Sequence, residues 1–156
     1  MNIIEDTRQK VGQHDCKNQY WKDNGHHVIR CKLPFGDYSP VPPVSVDTKQ
    51  NMLEIVGNLT TEHVRFREEC KLAKEYGCQL VILVENTDGI TSIEDVKHWK
   101  NPRRFVSPKA PQGAQVARSM RTMEARYGIR FEFCTPEEAG KRVVELLGIG
   151  RQEANG

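Results

Sequence analysis

The sequence predicts an α/β fold, a mixed central β-sheet flanked by helices, and three observations carry that prediction. Short segments with strand-like alternation fill the first third of the chain, and helical periodicity takes over at Met52. One unbroken apolar run, Leu80-Val81-Ile82-Leu83-Val84, has the character of a strand buried on both faces. The order of signals, β, α, β, β, α, β, α, β, α, favours parallel crossovers in its later units.

Taken in order, residues 2–5 open as a strand that ends at Asp6-Thr7-Arg8, and the polar residues 12–15 form a loop before a short helix over 17–23. Asn24-Gly25 stops that helix. Residues 27–33 alternate well enough for a second strand and residues 44–49 for a third. Between them Pro40, Pro42 and Pro43 lack amide donors, which predicts a loop that lets the chain double back. Met52, Ile55, Val56 and Leu59 recur at helical spacing. After a break at Thr60-Thr61, a second helical run carries Phe66, Cys70, Ala73 and Tyr76 and ends at Gly77. The buried strand then spans 79–85. Thr91, with Glu94 three residues on, predicts a capped short helix to Trp99, followed by a basic, proline-punctuated loop over 101–111. Val116, Met120, Met123 and Tyr127 mark one side of the next helix, which Gly128 closes. Residues 129–134 are the last strand. Thr135-Pro136-Glu137-Glu138 combines an N-cap, a first-turn proline and a capping-box glutamate ahead of Ala139, Val143, Leu146 and Leu147. One domain is expected over residues 1–148, with a flexible tail over 149–156.

The formal charge is +2 and 28% of residues are charged, so any nucleic-acid contact must come from a local patch. Arg103, Arg104, Lys109, Arg118 and Arg121 are the candidates for such a phosphate track. The five cysteines are odd in number and lack C-x-x-C spacing, and the first residues do not resemble a signal peptide. A reduced, cytoplasmic setting follows (nuclear in a eukaryote), not a secreted one. No apolar run reaches membrane-spanning length, and no membrane partner is expected. The five histidines lack zinc-ligand spacing. No glycine-rich turn follows the first strand, which argues against a nucleotide-binding α/β protein.

The chemistry lies in two segments ten residues apart, Gly36-Asp37-Tyr38 and Val46-Asp47-Thr48-Lys49. On an extended strand Asp47 and Lys49 project to one side and Thr48 to the other. If the proline loop returns Asp37 beside Asp47, two carboxylates repel unless a cation lies between them. Hard oxygen ligands suit Mg2+ or Mn2+. That combination points to metal-dependent hydrolysis of phosphodiesters.

Laid in order, Asp6-Thr7-Arg8, Gly36-Asp37-Tyr38, Asp47-Thr48-Lys49, Arg65-Phe66 and the apolar strand ending at Glu85 resemble the nuclease domain of the XPF-type structure-specific endonucleases. That family lies in the PD-(D/E)xK, restriction-endonuclease-like superfamily, and the resemblance runs from about residue 3 to 147. Gln9 stands where the family has glutamate, Asp47 replaces a glutamate, Thr48 an arginine and Leu53 an aspartate, with Glu54 one position along.

The resemblance implies that Asp37 and Asp47 hold the divalent ion, that Lys49 orients the attacking water and stabilises developing charge, and that Asp6 is a further acid near the metal. It places Arg8 and Arg65 near the phosphate, and Glu85 at a family acid position. Glu69, one turn after Arg65, reads as an ordinary helix-face ion pair. It further implies pairing, as a homodimer or heterodimer, through the C-terminal helix, whose apolar stripe of Val143, Val144, Leu146 and Leu147 is wider than one contact face needs. The expected activity is an endodeoxyribonuclease cutting branched, flap or fork DNA in repair or recombination. The alternative is a catalytically inactive DNA-binding or scaffolding subunit of the same fold.

Overall fold

Among the described residues, six strands hydrogen-bond in two sets of three in the computed structural model of this chain. Each set lies in one of two compact units, Met1–Pro42 and Pro43–Gly156. The structure describes residues 1–148 in full and the last helix as backbone to Asn155, so the tail expected over 149–156 lies outside the fully described residues. The α/β class and the flanking helices are those the sequence anticipates. Among the described residues the strands form two separate ladders and not one continuous sheet.

In the first unit, β1 (Asn2–Glu5) is central, parallel to β2 (His27–Arg30) and antiparallel to β3 (Tyr38–Pro40). The second strand is shorter than the alternation suggested. The third, unforeseen in the proline loop, ends on Pro40, as an edge strand with no further donor can. Helix α1 (Asp15–Asp23) brings Trp21 edge-on to Tyr38, with ring centroids 5.2 Å apart. Burial, and next the Glu5 carboxylate, hold the Tyr38 hydroxyl above its ordinary pKa.

In the second unit β4 (Val44–Lys49), β5 (Gln79–Glu85) and β6 (Arg130–Cys134) are all parallel, with β5 in the middle. Helices α2 (Met52–Leu59) and α3 (His63–Glu75) form the first crossover. The second contains α4 (Ile93–Val96), a 3-10 turn at Pro102–Phe105 and α5 (Gly113–Tyr127). Alternation on β5 divides its side chains. Leu80, Ile82 and Val84 enter a core with Met52, Ile55, Phe66, Val116 and Met120, whereas Val81 and Leu83 face the other side. There α6 (Pro136–Asn155) packs across all three strands and buries Ala139 and Leu146. Arg142 fixes α6 to β6 through a two-pronged contact with Glu132, at 2.7 and 2.8 Å, and holds that carboxyl below its usual range.

Local caps fall near the expected places. Thr135 donates its N–H and hydroxyl to Glu138, which supplies the glutamate half of the anticipated capping box, while the Glu138 N–H goes to the Thr135 carbonyl and not to its side chain. The short helix α4 is capped by Ser92 and not Thr91, because Thr91 is occupied with the Asp95 carboxylate at 2.8–2.9 Å. Gly128 ends α5 at φ 69°, a left-handed conformation that favours glycine.

At the start of α5, Gly113 lies so close to the end of α4 that an added Cβ would stand 2.4 Å from the Val96 carbonyl oxygen and 2.5 Å from that of Trp99. Both obstacles are backbone, so nothing nearby can rotate away. Gly113→Ala is therefore expected to destabilise the protein by about 1–3 kcal/mol, read from urea denaturation. An unchanged midpoint would contradict the packing described.

Candidate active site

Parallel pairing aligns Asp47 with Ile82 and Lys49 with Val84, the β5 residues that face α2, α3 and α5. Asp47 and Lys49 consequently share that face, and Thr48, aligned with Leu83, has the other. The Lys49 ammonium lies 3.0 Å from Asp47 Oδ2, with the two side chains 11% and 24% exposed. They form one wall of a polar cleft of about 540 Å3, whose opposite wall is Glu54 and Asn58 of α2 and Glu62, Arg65, Phe66 and Glu69 on and just before α3. Arg65, Phe66 and Glu69 reach one cleft because residues three and four apart share a helix face.

Electrostatics mark this cleft as short of positive charge. Partial burial, and then the neighbouring Asp47 carboxylate, raise the Glu69 carboxyl above its ordinary 4.5, with Lys49 and Arg65 opposing. Just behind it, burial pushes the Cys70 thiol up to about 12, which makes it an inert core group. The Asn58 Oδ1 atom is buried and accepts no hydrogen bond. Two facing carboxylates and an unused amide oxygen are the hard donors a divalent cation takes. Among the described residues no three His, Cys, Asp or Glu side chains form a ready-made metal cluster, but Mg2+ is commonly held by one or two carboxylates with waters and substrate phosphate.

Glu69 is the cleft residue that sequence reasoning undervalued. Its spacing from Arg65 suggested a surface ion pair, whereas its carboxyl faces Asp47. The signal was in the helix pattern: Glu69 adjoins the buried Phe66 and Cys70, so it borders the inward stripe. Glu54 accepts from the Gln50 N–H at 2.7 Å while its own N–H is capped by Asn51, and its carboxylate is thereby engaged at the start of α2. Glu85 pairs in register with Cys134 on the α6 side of the sheet, away from the cleft.

The first unit holds Asp6, Arg8 and Asp37. Asp6 is fully buried, and both its oxygens are taken: Oδ1 accepts from the Arg8 N–H and Nε at 2.7 and 2.8 Å, Oδ2 from Arg8 Nη2 and the Leu33 N–H at 2.8 and 2.9 Å. The Arg8 guanidinium holds that carboxyl well below the usual range. Asp6 and Arg8 thus spend their polar groups on each other and on fastening the strand end to Leu33 and Gly36. Gly36 adopts φ 75°, which turns the chain so that the Asp37 carbonyl accepts from the Asp6 N–H at 2.8 Å and leaves the Asp37 side chain exposed.

The remaining basic candidates divide. Arg121 pairs with Glu94 at 2.7 Å, with both side chains more than half exposed. Arg118 joins Arg67 and Arg126 around a separate hollow between α3 and α5. Arg103, Arg104 and Lys109 lie in the segment 101–111, where Arg104 Nη1 braces the loop by donating to the Ala110 and Pro108 carbonyls at 2.7 and 3.2 Å.

No family model matches the chain, and no curated protein matches it. Among solved structures it is similar to XPF from Aeropyrum pernix, and to the same protein in complex with DNA. In both cases the identity is 18% and the TM-score 0.47, with 99% of this chain and 65% of that chain covered. The chain thus spans less than two thirds of that structure's length. Among the described residues no helix is long and apolar enough to cross a membrane.

Two pH effects of opposite sign follow. The folded Asp6 carboxyl lies below its ordinary value of 3.8, so its contribution to stability is present above that pH and is lost as pH falls further. Asp6→Asn should lower the urea midpoint at neutral pH and give a shallower acid loss than the wild type; parallel curves from pH 7 to 3 would contradict it. The Glu69 carboxyl is raised above 4.5, so stability declines as pH climbs from there. Glu69→Gln measured in EDTA should gain on the wild type toward pH 7, and no gain would mean its carboxyl does not feel Asp47.

Proposed function

We propose that this chain is a divalent-metal-dependent endodeoxyribonuclease acting on branched, flap or fork DNA. The observation that carries the reading is the polar cleft in which Asp47 and Lys49, adjacent on one strand face, look across at Glu69. Asp47 and Glu69 are the groups to hold Mg2+ or Mn2+, and the orphaned Asn58 oxygen can accept from a water in the same cleft. When bound, the ion supplies a polarised phosphoryl oxygen and a more acidic water. Lys49 donates from a fixed position beside Asp47, where its ammonium can orient a water and meet charge building on the phosphoryl oxygens. Arg65, on the rim, contributes a second cation toward the phosphate. Asp37 enters by chain order alone, as the acid preceding Asp47 in the pattern of such nucleases. Arg103, Lys109 and Arg118 remain the candidates for backbone contacts outside the cleft, and Asp6 with Arg8 supports the turn that carries Asp37.

A second reading, a DNA-binding or scaffolding subunit without activity, draws support from the lack of a three-ligand metal cluster among the described residues. In either reading the outward Val144 and Leu147 of α6, 71% and 42% exposed, suit pairing with a second copy or a related subunit.

Labelled flap, fork and linear duplexes incubated with Mn2+ test the proposal. Cleavage near the branch is expected, reduced about a hundredfold or more by Asp47→Asn, Lys49→Ala and Asp37→Asn with binding in EDTA retained. Tight binding with no cleavage in Mn2+, nor in Mg2+ put in its place, would establish the scaffold instead.

A further inference from the structure

Between Asp95 and Glu124 the chain has seven Lys or Arg residues and no Asp or Glu, the longest stretch of one sign in a molecule whose net charge is only +2. Amid this stretch stand Phe105 and Val106, 91% and 90% exposed, the most exposed large apolar side chains among the described residues. They are not on a slack loop. Asn101, 3% exposed, donates from Nδ2 to the Pro111 carbonyl and accepts at Oδ1 from the Arg103 N–H, both at 3.0 Å. The Ser107 N–H reaches the Arg103 carbonyl at 2.8 Å, and Arg104 ties the far side to Ala110. Beneath the loop, Gly113 abuts backbone with no room even for a methyl group. The fold therefore builds a braced knuckle and displays two apolar side chains at its tip.

Beside the tip is a hollow of about 290 Å3, largely apolar, lined by Trp99 and Phe105 together with Lys100, Arg104 and Gln112. Aromatic faces with a basic rim are how proteins take single-stranded nucleic acid: the rings stack on bases while the cations follow the backbone. A linear duplex offers no free base face, whereas a branch point does. Resting on the reading of the chain as an enzyme of branched DNA, we propose that this hollow receives an unpaired nucleobase next to the junction, with Phe105 stacked on it and Val106 against the end of the adjoining duplex. The knuckle would then select branched over linear DNA, a task for which the Asp47 cleft has no aromatic other than the buried Phe66.

The test is a binding titration in EDTA, where no cleavage is needed, using a fork with 2-aminopurine as the first unpaired base and a linear duplex of the same length. The wild type should change the 2-aminopurine emission on binding. Phe105→Ala with Val106→Ser should abolish that change and weaken fork binding about tenfold, leave duplex binding within about twofold, and Phe105→Trp should restore the signal. Both positions are on the surface, so folding is not at stake, and circular dichroism checks it. Equal losses for fork and duplex, no loss on either, no binding by the wild type, or a changed oligomeric state in place of changed DNA affinity would each overturn the proposal. Binding with the full emission change but no cleavage in metal would leave the base site standing and overturn the nuclease reading. Flap cleavage with an unaltered signal in the double variant would do the reverse.

Discussion

The contact between Lys49 and Asp47 depends on a constraint that reaches well beyond the two side chains. Strand β4 is fixed by parallel pairing to β5, whose apolar residues are buried on both faces, and a slip of one residue would send Asp47 and Lys49 under α6 and Thr48 into the cleft. The whole second unit resists that slip. Leu80, Ile82 and Val84 fit the α2, α3 and α5 layer while Val81 and Leu83 fit the α6 layer, so register and site are set by the same packing.

Within the cleft the balance of charge gives the site its character. An exposed ion pair is worth little, and a partly buried one is offset by desolvation, so Lys49 and Asp47 are not there chiefly for stability. Glu69 makes the arrangement costly: its carboxyl is driven toward the neutral form by burial and by Asp47. A fold that keeps two acids opposed in a polar cleft, with an amide oxygen left without a donor, is carrying electrostatic tension that a hard cation would relieve. The first unit uses the opposite solution, since Asp6 is satisfied by four donors from the chain itself.

Much of this was legible in the chain itself. The apolar run at β5, the switch from period two to period 3.6 at Met52, and the Thr135-Pro136 cap all fix elements through local chemistry, and Asp47 and Lys49 share a face by strand geometry alone. What was not legible depends on contacts between distant segments. Nothing local to Tyr38-Ser39-Pro40 announces a strand, because its order comes from β1. The bonds that Asp6 receives from Leu33, and that Arg121 makes to Glu94 across 27 residues, are written in no local pattern. Glu69 was misread because i,i+4 spacing describes neighbours on one helix but not what that helix faces. The loop 101–111 read as a basic segment with candidate phosphate contacts, its bracing invisible until Asn101 and Arg104 closed on carbonyls ten and six residues away.

The central claim, that the cleft between β4 and α3 is a site for a hard divalent cation, is tested most directly by titrating Mn2+ into isotopically labelled protein and following paramagnetic broadening of backbone amide signals. A cation held there broadens signals first around Asp47, Lys49 and Glu69, is displaced by Mg2+, and leaves the spectrum of Asp47→Asn unchanged. Broadening centred elsewhere in the chain, or none at millimolar Mn2+, would contradict it.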